Sequence, residues 1–373
     1  MRVGVVGGGI FGLAAALELR RRGHEVMVCE QGRVPDERAA STDVSKVIRR
    51  TNYLEETYIE LVERAAQQWR VWHEQLGRGI YFQTGKLIMA RDFTQDSSLY
   101  HSWELLGERQ GGLRLLSLKE ARQRFPHFAL RANDTLFYDS WTGYLRSGQA
   151  MIDLAGLARA SGVQICEETP VHQLEETPAE VRLLCGGETF TCDRAVIAAG
   201  AWVGRLLPQL KRHLRITRNQ MAFFVPADPQ RFAADIFPVW TVSSARQAWY
   251  GFPLLPEGYV KVADDLKVEL ADPDVDRNPT DAFMESVRQF VAERIPALAS
   301  AELVGGRSCL YTNTPDDRFV IDWVPDSQRL LIAGCGSGHG FKFGGSIGPV
   351  IADALEDRDN PLGGLFRIGE RFL

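Results

Sequence analysis

Arg2-Val3-Gly4-Val5-Val6-Gly7-Gly8-Gly9-Ile10-Phe11-Gly12 opens the chain with an apolar strand that runs into the spacing G-x-G-x-x-G. Leu13 to Arg22 then reads as a helix stopped by Gly23, and Glu25-Val26-Met27-Val28-Cys29 is a second short strand ending at Glu30. Each glycine has a steric task in such a unit. Gly7 permits the tight turn, Gly9 lets a pyrophosphate approach the backbone, and Gly12 lets the helix pack on the strand. The helix N-terminus offers unpaired N–H groups to phosphate, and Glu30 can accept a hydrogen bond from a ribose hydroxyl. These features predict a Rossmann-like dinucleotide-binding unit. On this stretch alone NAD and FAD both remain open.

A second glycine cluster narrows the choice. Of 35 glycines, five fall within 4–12 and seven within 334–348. Glycine loses more backbone freedom on folding than any other residue, so such clusters mark places where backbone meets something closely. The strand Arg329-Leu330-Leu331-Ile332-Ala333 leads into Gly334-Cys335-Gly336-Ser337-Gly338-His339-Gly340-Phe341-Lys342-Phe343, and a helix is expected over 345–355. Two such sites about 330 residues apart imply one elongated cofactor held by both ends of the chain. FAD fits that better than NAD, because its isoalloxazine ring reaches well past the pyrophosphate. Between them, Ala195-Val196-Ile197-Ala198-Ala199-Gly200-Ala201-Trp202 reads as another buried strand ending in a glycine turn.

Composition sets the outer limits. A length of 373 residues suits one or two domains, and 45% hydrophobic residues exclude a disordered chain. Lys and Arg number 43 against 48 Asp and Glu, a formal charge of −5, which argues against nucleic-acid binding. The six cysteines are scattered with no metal-ligand spacing, so no metal site and a reducing, cytoplasmic location are expected. Met1 to Ala16 imitates a secretory signal, but its five glycines would spoil the signal helix. No run of membrane-spanning length lacks charges.

Residues 58–76 place Tyr58, Leu61, Val62, Ala65, Trp69, Trp72 and Leu76 on one helical face, which reads as core. From 80 to 145 the pattern changes to short alternating stretches, and 215–262 is rich in short strands. A helix from about Thr280, as N-cap, to Ile295 ends at Pro296. The expected architecture is α/β: a discontinuous FAD-binding domain (1–80, 147–214 and 303–373) and a β-rich α+β substrate domain (81–146 and 215–302). The chain would cross between them several times.

Further motifs follow in order: Tyr250-Gly251-Phe252-Pro253, Lys261 eleven residues beyond Tyr250, Ser308-Cys309-Leu310-Tyr311-Thr312, Phe319-Val320-Ile321-Asp322, and Ser337 to Phe343. With the N-terminal fingerprint, this set resembles the D-amino-acid-oxidase-like flavoproteins, in the branch of monomeric sarcosine oxidase and N-methyltryptophan oxidase. The resemblance covers essentially the whole chain. It implies FAD attached covalently through Cys309, Lys261 near the flavin as a promoter of oxygen reaction, and Arg49 with Lys342 as the clamp on a substrate carboxylate. Tyr250 would line the substrate cavity. Cofactor contacts are implied at Gly7, Gly9, Ile10, Phe11, Gly12, Glu30, Ser45, Val171, Gly200, Trp202, Gly336, Gly338, His339, Gly340 and Lys342. Read without the resemblance, Lys261 and Arg49 are ordinary charged residues and Cys309 a small buried hydrophobe.

The sequence departs from that branch at telling places. In Asp43-Val44-Ser45-Lys46-Val47-Ile48-Arg49, Ser45-Lys46 stands where the sarcosine oxidases carry Thr-Arg, and a lysine there is more like the fructosyl-amino-acid oxidases. Asp265 replaces the histidine four residues after the flavin lysine, and Thr241 matches a methionine near the ring. Lys261, Lys46 and Tyr250 are therefore the catalytic candidates, with Arg49, Lys342, Tyr250, Thr241 and Asp265 for substrate. The expected activity is an FAD-dependent oxidase of a secondary or N-substituted amino acid, using O2 and acting as a monomer. Rival readings are a dehydrogenase of the same superfamily and a flavin-binding protein without turnover.

Overall fold

In the computed structural model, which describes residues 1–107, 109, 111–244 and 247–372, Arg2–Val6 lies inside a six-stranded sheet. The strand order is Val320–Trp323, Leu330–Gly334, Arg194–Ile197, Arg2–Val6, Glu25–Cys29, Gln164–Cys166. All neighbours are parallel except the first pair. A parallel sheet must be covered on both faces, which is why these strands are nearly continuous apolar runs. Val3, Val5, Val28, Val196 and Leu331 pack on one side with the helices Ile10–Arg21, Ser147–Ala160 and Ile347–Leu355. Ala195, Ile197 and Ile332 pack on the other side against Val181 and Leu183 of a three-stranded meander, Gln173–Cys192.

An eight-stranded sheet forms the second body of structure. Its order is Glu302–Asn313, Arg215–Val225, Val260–Asp264, Gln247–Leu254, Val239–Ser244, Lys86–Ala90, Thr135–Asp139, Leu113–Leu116. One face packs Leu87, Met89, Trp240, Val242 and Trp249 against Val287 and Phe290 of the helix Asp281–Arg294. Thr280 caps that helix by accepting from the Phe283 N–H at 3.2 Å. The opposite face looks toward the six-stranded sheet and carries the site.

Both Rossmann strands and the aromatic helix (Glu56–Leu76) lie where the sequence puts them, and Tyr58, Leu61, Val62, Ala65 and Trp69 are core. Two short helices interrupt the alternating region: Ser98–Leu106 and Leu118–Arg124. Ser97 and Ser117 cap them by accepting from the N–H groups of Tyr100 and Glu120, an N-cap signal that strand alternation hid. Strand pairing also runs across the expected domain boundaries. Glu302–Asn313 pairs with Arg215–Val225 over eleven positions, so residues 303–313 belong to the eight-stranded sheet. Lys46–Ile48 and Tyr81–Phe82 flank Gly143–Leu145 in a small sheet that ties 1–80 to 81–146. Among the described residues, no helix is long and apolar enough to cross a membrane, and no three His, Cys, Asp or Glu are grouped to hold a metal.

Candidate active site

The first of two large cavities, about 500 Å³, lies at the C-terminal ends of the parallel strands, where open α/β sheets bind ligands. It is lined by the loops that leave four of them: Gly7 and Gly9 to Phe11, Glu30, Ala198–Trp202 and Cys335–Gly338. Gly7 sits at φ +108°, and a Cβ there would lie 2.4 Å from the Ala198 carbonyl oxygen. A Cβ on Gly12 would come within 1.9 Å of the Gly7 oxygen, so Gly12 serves helix–strand contact and does not line the cavity.

The residues present fit a dinucleotide. The first bond of the helix Ile10–Arg21 is Leu13 N–H to Gly9 O at 2.9 Å, which leaves earlier N–H groups facing the cavity mouth; Ser41 Oγ takes that of Ile10. No acidic residue occupies the first turn to repel phosphate. Gly9, Gly200 and Gly334 line the cavity with little or nothing near an added Cβ, so a side chain there would fill ligand space rather than clash with protein. Glu30 is buried, accepting from the N–H groups of Gly8 (2.6 Å) and Gly32 (3.1 Å). Burial raises its carboxyl above the usual range, and those N–H donors oppose the rise.

The second cavity, also about 500 Å³, is lined on one wall by the eight-stranded sheet. Alternation along Lys86–Ala90 sends Lys86, Ile88 and Ala90 to the cavity while Leu87 and Met89 enter the core behind. Thr241 pairs with Ile88 on one side and Tyr250 on the other, so these three line the same face. Arg49, Asp265, His339 and Lys342 complete the inner end. Lys46, Tyr311, Gly338 and Phe341 line both cavities and mark where they meet.

Arg49 is held by the Thr51 carbonyl and lies with its guanidinium carbon 5.1 Å from the centre of the Tyr53 ring. Lys342 Nζ donates to Tyr53 Oη (3.1 Å) and the His339 carbonyl (2.7 Å). Burial pushes the Lys342 ammonium well below its ordinary pKa, and the charge of Arg49 adds to the effect. His339 is driven well below its usual value by burial and Lys342, so it is neutral and donates from Nε2 to the Asp317 carbonyl at 2.9 Å. Asp265 reaches solvent through the cavity, yet the protein around it desolvates its carboxyl and raises it, against the pull of Lys267, Arg49 and Lys342. The hydroxyls of Tyr250 and Tyr311 hydrogen-bond to each other, and burial raises both phenols far above 10.

Behind the junction is a buried charge cluster that the sequence reading did not foresee. Asp43 Oδ2 accepts from Lys261 Nζ at 2.5 Å and from Lys46 Nζ at 3.1 Å. Lys261 is fully buried, also donates to the Ser45 carbonyl (2.8 Å), and lines neither cavity. Burial lowers Lys261 to about 8 although Asp43 opposes the shift. Burial alone would raise Asp43, but the charges of Lys261 and Lys46 hold it well below the ordinary carboxylate range. Both partners are therefore ionised near neutrality. Cys309 is buried, with Sγ 3.6 Å from Lys46 Nζ.

Of the residues singled out in the sequence, Gly7, Gly9, Ile10, Phe11, Glu30, Val171, Gly200, Trp202, Gly336, Gly338 and Gly340 converge on the first cavity. Arg49, Lys342, Tyr250, Thr241, Asp265 and His339 converge on the second, and Lys46 reaches both. Gly12, Ser45, Cys309 and Lys261 stand just behind the walls. Lys86, Tyr311, Tyr53 and Asp43 were not assigned roles. Lys86 carried a signal: it is a lone charge in a strand whose other members are all apolar and buried.

A fold in which both chain ends shape a cleft fit for a dinucleotide, covered by a β-sheet with its own polar cavity, is that of a flavin-dependent enzyme. A family profile described as FAD dependent oxidoreductase matches residues 2–354, and the chain belongs to that family. Monomeric sarcosine oxidase of Bacillus sp. (strain B-0618) is 26% identical over 353 residues, 93% of this chain and 90% of that one. N-methyl-L-tryptophan oxidase of Yersinia pestis (strain Pestoides F) is 26% identical over 363 residues, 96% and 95% of the two chains. The structure of fructosamine oxidase from Aspergillus fumigatus matches with a TM-score of 0.81 at 25% identity, over 98% of this chain and 89% of that one. The flavoprotein resemblance read from the motifs is thereby borne out.

Proposed function

We propose that this chain is an FAD-dependent oxidase of a secondary or N-substituted amino acid, working as a monomer in the cytoplasm. One observation carries the reading: the dinucleotide cavity and a cation-lined cavity meet at Lys46, Tyr311, Gly338 and Phe341. Bound FAD would supply acceptance of a hydride from the substrate carbon and delivery of the electron pair to O2 as hydrogen peroxide. The imine released hydrolyses in water.

The chain's own contribution is positioning and charge. Arg49 offers a planar fork and Lys342 a point charge to the substrate carboxylate, which fixes the amine-bearing carbon before reaction. Tyr250 and Tyr311 wall the path between the cavities. Lys46 brings positive charge to the junction, and Lys261 holds Asp43 behind it. Attachment of the flavin through Cys309 belongs to the same proposal. Cys309 lies two residues from Tyr311 on one strand face and packs with it in a small cluster beside the junction.

An anaerobic panel of N-methyl amino acids, followed by flavin absorbance and then by peroxide on admitting air, tests the reading. Bleaching by at least one of them with stoichiometric peroxide is expected; no bleaching by any amine, or bleaching without peroxide, overturns it. Arg49→Ala is expected to raise KM for carboxylate substrates by roughly tenfold to hundredfold. An unchanged KM contradicts the clamp. Lys261→Met is expected to slow oxygen uptake more than anaerobic flavin reduction. Acid precipitation is expected to leave the yellow colour in the pellet of the native protein and in the supernatant of Cys309→Ala.

A further inference from the structure

The inner end of the second cavity holds three cations, Arg49, Lys342 and Lys86, and the Asp265 carboxylate there acts on Arg49 and Lys342. Arg49 is the middle one. It shares Thr51 with Lys86, whose Nζ donates to Thr51 Oγ1 at 2.7 Å, and it shares Tyr53 with Lys342. Lys86 is 1% exposed and still forms part of the cavity wall. An ammonium has three N–H donors, and Thr51 takes one of them. Among the described residues Lys86 forms no ion pair. The carboxylate opposite it across the strand pair, Asp139, accepts from the Trp141 N–H (3.0 Å) and the Thr142 hydroxyl (2.5 Å) and acts on Lys86 only as a nearby charge.

A buried lysine of this kind is costly, and an aliphatic side chain would serve a strand face better. Its neighbours Ile88 and Ala90 on the same face are of that kind. Burial and the nearby charge of Arg49 lower Lys86 to about 7, with Asp139 opposing. Among the described residues no carboxylate hydrogen-bonds the Lys86 ammonium, and a ligand can supply one.

We propose that the cavity takes a substrate with two acid groups, an N-substituted aminodicarboxylic acid, whose second carboxylate is held by Lys86 beside the Arg49–Lys342 clamp. This deepens the amino-acid oxidase reading and rests on it. Lys86 is a specificity residue here, and the chemistry at the amine is unchanged.

Calorimetric titration of the flavin-loaded enzyme with butyrate and with succinate or glutarate tests the assignment, at one pH and ionic strength. The better dicarboxylate is expected to bind about tenfold or more tightly than butyrate, and Lys86→Met is expected to bring the two within about twofold. Equal affinities in the native enzyme, or a preference that survives Lys86→Met, overturn the assignment while leaving the clamp in place. If neither acid binds, the clamp and this assignment fall together. The native enzyme gives a second reading that needs no variant: kcat/KM for N-methyl-L-glutamate or N-methyl-L-aspartate is expected to exceed that for N-methyl-L-alanine, and the reverse order overturns the proposal.

Discussion

The ammonium of Lys86 illustrates how a binding site stores unfavourable energy at the scale of one residue. Its folded-state pKa is about 7 against an ordinary 10.5, so between those values the unfolded chain binds more protons than the folded one. Lys86 thereby makes stability rise with pH across that window, and Lys261, lowered to about 8, acts in the same direction. Asp264, raised to about 7 by burial, works the opposite way below that pH, so the comparison begins at 7. The buried thiols of Cys29, Cys192 and Cys335, raised by burial, oppose the lysines once the unfolded chain ionises near 9. Urea unfolding with saturating FAD is therefore compared at pH 7 and pH 8, with greater stability expected at pH 8. In Lys86→Met that rise is expected to shrink, and the variant to be more stable than native at pH 7 by about 1–4 kcal/mol. Asp43 is the contrary case. Asp43→Asn leaves two buried ammonium groups without their shared carboxylate, and a loss of about 3–5 kcal/mol in the same measurement is expected. Asp43 stood in the sequence beside Ser45 and Lys46, but nothing local shows that Lys261, 218 positions later, comes to it.

Elements were legible in proportion to how local their causes are. Arg2–Val6 and Glu25–Cys29 fall where glycine spacing and β-branched runs place them, because short-range sterics set both. The helix Ser98–Leu106 was hidden, since its cap is one serine in a polar stretch. Two glycines of the first turn separate packing from ligand space. Gly12→Ala puts a methyl into backbone and is expected to give no folded protein, seen as loss of the cooperative thermal transition. Gly9→Ala meets only Ser41 Oγ, at 3.3 Å, and is expected to fold while binding FAD about tenfold or more weakly by flavin titration. Equal behaviour of the two variants would contradict the division.

For the whole molecule, the consequence is interdependence of the two chain ends. Leu330–Gly334 lies between Arg194–Ile197 and Val320–Trp323 in the sheet, and Ile347–Leu355 packs on Ile10–Arg21. Ending the chain at residue 329 strips the Rossmann sheet of an inner strand and a covering helix. Circular dichroism is expected to show no cooperative unfolding for that truncation, with or without FAD. From sequence alone came the dinucleotide unit and the second glycine loop, because spacing along the chain encodes turns, strands and motifs, while Arg49, Lys342 and Lys46 stood out only through the family resemblance. Tertiary structure decided which charges face which. Strand register turned Lys86 into a cavity wall, and burial placed Lys261 behind Asp43 rather than in the open. Counter-charges are shared across hundreds of residues, and such sharing depends on distance in space, which no local pattern records.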